Sequence, residues 1–170
     1  MRRLIRLFKH RWTDDVRRTL PTQTLQRLQT LIATSETRHS GEIRVCVEAG
    51  LPNSYLLRAD STAALLRQRA LAQFGRLRVW DTAHNNGVLI YLCLAEHAIE
   101  LVADRGVDQH VGAALWAAMV KRLGTALAAG QFEQGLAQSV QEVSAVLTQH
   151  FALQAGERNP NELPDAPVLV

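Results

Sequence analysis

The chain has 170 residues, of which 47% are apolar, 21% charged and only 5% aromatic. That length supports one domain with a sizeable, mainly aliphatic core, and the composition excludes disordered, collagen-like and disulfide-dense classes. The net charge of +3 is uneven, because residues 1–20 carry seven basic and two acidic side chains and leave the remainder at −2. A folded body with no basic surplus is a poor match for nucleic acid, so no nucleic-acid partner is expected.

Residues 1–20 read as a basic amphipathic segment. Met1, Leu4, Ile5, Phe8 and Trp12 recur at helical spacing, with Arg2, Arg6, Lys9 and His10 between them. Two readings stand: the stripe packs on the domain, or residues 1–12 lie on an anionic membrane surface. Neither a secretory signal nor a spanning run of about 20 apolar residues is visible. Cytoplasmic residence is therefore expected, with peripheral contact at the inner membrane or with membrane-associated proteins. Cys46 and Cys93 fall in predicted strands without metal spacing and read as reduced core thiols.

The domain proper is expected over residues 21–153. Pro21-Thr22 opens a helix whose inner face is Leu25, Leu28, Leu31 and Ile32. Thr37 to Gly41 ends it, with Gly41 suited to a left-handed turn. Glu42 to Glu48 alternates, is β-branched at Ile43, Val45 and Val47, and reads as the first strand. A second helix is predicted from about Asp60 to Phe74, closed by Gly75. Val88 to Leu94 is almost wholly apolar, as in a strand covered on both faces. Ala95-Glu96-His97 turns the chain into a third strand, Ala98 to Ala103. Two helices follow, with apolar stripes from Leu115 to Leu127 and from Phe132 to Phe151. Residues 154–170 contain Pro160, Pro164 and Pro167 and read as a flexible tail.

This order predicts an α/β fold: a small mixed β-sheet of three to four strands sandwiched between helices. A helical crossover joins the first two strands in parallel, and the hairpin adds an antiparallel edge. If the hairpin pairs, Asp81, Thr82, His84, Asn85 and Asn86 meet Asp104, Arg105 and Asp108 at one end of the sheet. Oxygen-bearing side chains there suit a hard divalent cation such as Ca²⁺, with Asp81, Asn85, Asp104 and Asp108 as candidate ligands. Gly106 would let the backbone turn toward the ion. The competing reading is turn chemistry: Asp81 caps a turn, Asn86-Gly87 forms a left-handed pair, and Asp104 pairs with an arginine.

Thr82…Asn86-Gly87-Val88-Leu89-Ile90-Tyr91, then Asp104-Arg105-Gly106 and Trp116, resemble the TPM domain. Gly41-Glu42-Ile43-Arg44-Val45 is similar to that family's opening strand. The family includes thylakoid lumen proteins of photosystem II repair and many bacterial proteins, and this chain looks like a short, leaderless bacterial subgroup. The resemblance implies an α/β/α sandwich and a polar pocket near Asn86-Gly87 and Asp104, where some relatives hold calcium. It places Glu42, Asp81, Thr82, Asn85, Asn86, Gly87, Asp104, Arg105 and Gly106 in or beside that pocket. The function expected is a non-catalytic binding or accessory module near membrane proteins, dependent on a divalent ion. The alternative is a metal-dependent acid phosphatase acting on phosphomonoesters through Asp81, Asp104 and Arg105, an activity the resemblance implies for a plant branch. Gly-x-Ser-x-Gly, Gly-x-Gly-x-x-Gly, Walker and zinc-ligand spacings are absent from the sequence.

Overall fold

The computed structural model describes residues 16–170. The amphipathic stripe over residues 1–12 lies outside the described residues. In chain order the elements are α1 (Val16–Thr19), α2 (Thr22–Glu36), β1 (Glu42–Glu48), α3 (Asn53–Leu56), α4 (Thr62–Arg76), β2 (Gly87–Cys93) and β3 (Ala98–Ala103). Then come α5 (Arg105–Asp108), α6 (Ala113–Ala128), α7 (Phe132–His150) and β4 (Val168–Leu169). Among the described residues no helix is long and apolar enough to cross a membrane.

The sheet order is β3-β2-β1-β4, which is the predicted mixed sheet. β1 and β2 run parallel with Glu42 opposite Gly87 and Glu48 opposite Cys93. β2 and β3 run antiparallel with Val88 opposite Ala103. Both strands of the parallel pair are buried along their whole length, because helices cover each face.

Alternation along the strands sorts the core into two clusters. Ile43, Val45, Val47, Val88, Ile90 and Leu92 point toward α2, α6 and α7. Those helices answer with Leu28 and Ile32, with Met119 and Leu123, and with Val140 and Leu147. On the opposite side Cys46, Leu89, Tyr91 and Cys93 pack on Leu65, Leu66 and Ala70 of α4. Ser61 caps α4 by accepting from the Ala64 N–H at 3.2 Å, so the helix starts just beyond the predicted Asp60.

The C-terminal segment departs from the expected flexible tail. Val168 and Leu169 pair in parallel with Cys46 and Val47, making the fourth strand. Leu163 is buried in the α4-side core. The prolines do not prevent this, since an edge strand needs donors on one side only and Pro167 precedes the paired residues. Gly41 also differs from expectation: its φ is not positive. A Cβ there would lie 2.6 Å from Leu147 Cδ2, so glycine serves close packing of β1's start on α7.

Candidate functional site

The sheet brings the loop before β2 and the turn after β3 to the same end. Asn86 carbonyl accepts from Glu42 N–H at 3.3 Å, and Gly87 carbonyl accepts from Asp104 N–H at 2.9 Å. Asn85 carbonyl accepts from Gly106 N–H at 3.0 Å. Three successive backbone carbonyls thus tie the loop and the start of β2 to β1, to the residue after β3 and to α5. Asn85 makes the left-handed bend, with φ of 51°, whereas Asn86 and Gly87 do not. The two glycines of the corner are explained by crowding. A Cβ on Gly87 would lie 2.0 Å from Val79 O, and one on Gly106 would lie 2.5 Å from Asn85 O.

The side chains divide into those turned into the corner and those engaged elsewhere. Thr82 is buried, and its hydroxyl accepts from Asn86 N–H at 3.0 Å. Asn86 is fully buried; its Nδ2 donates to Ser40 Oγ at 3.2 Å, while Oδ1 has no partner. Asp104 Oδ1 accepts from Arg105 N–H at 2.7 Å and caps α5, while its buried Oδ2 has no partner. Arg105 donates Nε–H to Asn85 Oδ1 at 3.2 Å and so leans across the corner's mouth.

Three candidates point away. Asp81 forms a half-exposed ion pair with Arg78 at 2.6 Å. Asp108 Oδ1 accepts from Trp116 Nε1–H at 3.2 Å. It lines a separate cavity of about 600 Å³ with Arg67, Glu100 and Trp116. Glu42 is fully buried, and its Oε2 accepts from Leu163 N–H at 3.0 Å in the C-terminal segment. Burial pushes the Glu42 carboxyl above its ordinary range. Among the described residues no three His, Cys, Asp or Glu side chains converge as a metal cluster. Any cation at the corner must therefore use amide and backbone oxygens beside Asp104.

Two neighbours were not anticipated. Ser40 orients Asn86, and Glu162 accepts from Ala83 N–H at 3.0 and 3.2 Å. The signal for Glu162 was weak, because it sits in a proline-rich stretch far along the chain. The thiols Cys46 and Cys93 are held protonated, both pushed up to about 12 by burial.

Residues 13–146 match the family model of the TPM domain. The chain belongs to the TPM domain family. This agrees with the resemblance read from the Asn86-Gly87 and Asp104-Arg105-Gly106 motifs. The TPM chain also matches the NMR structure of the BA42 protein from the psychrophilic bacterium Bizionia argentinensis. That match has a TM-score of 0.72 at 23% identity and covers 89% of this chain and 95% of the other. It establishes a shared fold. No curated protein matches. Within this TPM domain the matched segment stops before the residues that form β4, so the docked C-terminal strand lies outside the family match.

Proposed function

We propose that this TPM domain is a binding module whose Asn86–Asp104 corner takes a hard divalent cation, Ca²⁺ being the best chemical match. One observation carries the reading. Asn86 Oδ1 and Asp104 Oδ2 are buried acceptor oxygens without a donor, at the same end of the sheet. An unpartnered buried acceptor costs about 1–3 kcal/mol, more if charged. A cation relieves that cost at both atoms, and oxygen donors of this kind are what Ca²⁺ and Mg²⁺ select. The residues present thus fit a cation, with Asn86 and Asp104 as side-chain ligands. Asp81, Asn85 and Asp108 drop out of the direct set because each already holds another partner. When bound, the ion supplies positive charge at the corner; Arg105 supplies a second cationic group at its rim. Such a site holds an anionic partner group, carboxylate or phosphate, between ion and guanidinium.

The test is thermal unfolding of the full chain with Ca²⁺, Mg²⁺ or Mn²⁺. At 100 times its dissociation constant an ion adds about 2.7 kcal/mol of stability. The expected gain is present in the wild type and lost in Asp104→Asn. No shift with any of the ions overturns the reading. The same samples, given a generic phosphomonoester, decide between binding module and phosphatase. Turnover that vanishes in Asp104→Asn would assign metal-assisted phosphatase chemistry to the corner instead.

The place of action proposed is close to membrane proteins or an anionic membrane surface, through residues 1–12. Liposome flotation tests this: deletion of residues 1–12 is expected to abolish binding to anionic vesicles. Flotation unchanged by the deletion removes the membrane role.

A further inference from the structure

We infer that the C-terminal segment, residues 154–170, is a proton-gated strap across the outer edge of β1, closed at low pH and loosened as pH rises. Little regular pairing holds the segment. β4 contributes only the Val168 and Leu169 pairs. Beyond these pairs the segment is held by the buried Leu163, by Asn159 Nδ2 on the His39 and Gly41 carbonyls, and by charged side chains of β1. Arg44 donates through one guanidinium nitrogen to Pro164 O and, at 3.2 Å, to Ala166 O. Glu42 Oε2 accepts Leu163 N–H at 3.0 Å. Farther along, Val170 N–H donates to Val47 O at 2.9 Å.

The charges around these contacts do not balance. From α2 comes Glu36, only 4% exposed, with Oε1 accepting Ile43 N–H at 2.8 Å. β1 supplies Glu42 and Arg44, whose Oε1 and Nε respectively are buried without partners. On the strap stand Asp165 and Glu162, the latter one residue before the Leu163 N–H that Glu42 accepts. Glu157 and Arg158 of the strap, with Glu36 and Asp165, line a cavity of about 340 Å³ between α2 and the strap. Carboxyl groups gathered around one buried place repel each other unless one keeps its proton. Burial, and then the neighbouring carboxylates Glu42 and Asp165, push Glu36 up to about 9. Asp165 belongs to the strap, so lifting it removes a carboxylate from beside Glu36 and lets Glu36 ionise more easily. The strapped form therefore binds the proton more tightly than the open form. Linkage then makes docking strongest in acid and progressively weaker as pH rises toward 9.

Glu162 gives the strap a reach beyond its own edge. It accepts Ala83 N–H on the loop that carries Thr82, Asn85 and Asn86. Release of the strap frees that loop amide. The strap's proton coupling needs no ion at the corner, so it is read without one.

Hydrogen exchange of the full chain, corrected for intrinsic rates, tests it at pH 6 and pH 9 in the absence of divalent ions. Protection of the Leu163 and Val170 amides is expected to fall at least about tenfold, the factor that one pKa unit of coupling supplies. Amides of β2, which open only with global unfolding, are expected to stay better protected than the strap amides at both pH values. In Glu36→Gln, which still accepts Ile43 N–H but has no proton to release, strap protection is expected to be the same at both pH values. Equal protection at both pH values in the wild type overturns the inference. So do strap amides as well protected as those of β2 at both pH values, or a pH response in Glu36→Gln as steep as in the wild type. Should that variant not fold, carboxyl ¹³C titration of wild-type Glu36 decides: a midpoint above pH 7 supports the strap, and a midpoint near the ordinary carboxylate range overturns it.

Discussion

Glu48 ends β1 with its carboxylate almost wholly buried and fully engaged. Arg69 of α4 grips it at 2.7 and 2.9 Å, and the Tyr91 hydroxyl donates to it at 2.5 Å. A buried charge is tolerated only when it is paired and hydrogen-bonded in this way. Tyr91→Phe leaves packing intact but removes a donor to a charged group. The expected cost is about 1.5–3 kcal/mol, read from urea unfolding at pH 7; a loss below about 0.5 kcal/mol would show that Arg69 alone satisfies Glu48. Gly87→Ala is expected to be worse, at about 3 kcal/mol or more, because its new Cβ meets the Val79 carbonyl rather than a yielding side chain. Single residues of this kind mark where sequence reasoning stops. The motif around Gly87 was legible, and so was the meeting of the loop with Asp104. The reason for the glycine was not, since the crowding comes from Val79, eight positions upstream, and no spacing rule encodes it. Likewise Asp81 and Asp108 had the right chemistry for ligands, but their partners Arg78 and Trp116 were invisible as competitors.

At the scale of elements, periodicity carried the prediction well where each element has one apolar face. α2, α6 and α7 present their stripes to the sheet, and β2 is apolar on both sides because both sides are covered. β1 shows the limit. Its odd positions Ile43, Val45 and Val47 announce a core face, whereas Glu42, Arg44 and Glu48 look like a solvated one. All three are buried. Arg69 and Tyr91 hold Glu48, while the backbone of the C-terminal segment holds Glu42 and Arg44, so the first part of the polar face is a binding surface for the chain's own strap. Two paired residues among prolines leave no strand period to detect. Leu163 is the strap's apolar anchor, and Leu163→Ala is expected to cost about 2 kcal/mol in urea unfolding. An unchanged midpoint would mean that the anchor does not hold the strap in solution.

For the whole molecule, two buried titratable groups pull stability in opposite directions with pH. Glu36 has its carboxyl raised from 4.5 to about 9, chiefly by burial. Its raised value means that the folded state holds a proton that the unfolded chain has released. The resulting stability is complete below about pH 4.5 and is lost as pH rises toward 9. His39 is fully buried between the Gly41 carbonyl and the Ser144 hydroxyl, and burial lowers it from 6.5 to about 4. Its stability is present above pH 6.5 and is lost as pH falls toward 4, because the unfolded chain takes up a proton that the folded one refuses. Between about pH 4.5 and 6.5 the two slopes have equal size and opposite sign, so they cancel. The expected profile from these two groups is a plateau there, with a decline above it of at most about 1.4 kcal/mol per pH unit. Urea unfolding from pH 5 to pH 9 measures it. In Glu36→Gln the alkaline decline should flatten, and the His39 slope should emerge uncancelled, so that stability falls as pH drops below 6.5. A wild-type profile that keeps rising from pH 6.5 to pH 9 would contradict the buried, protonated carboxyl on which both this profile and the strap depend.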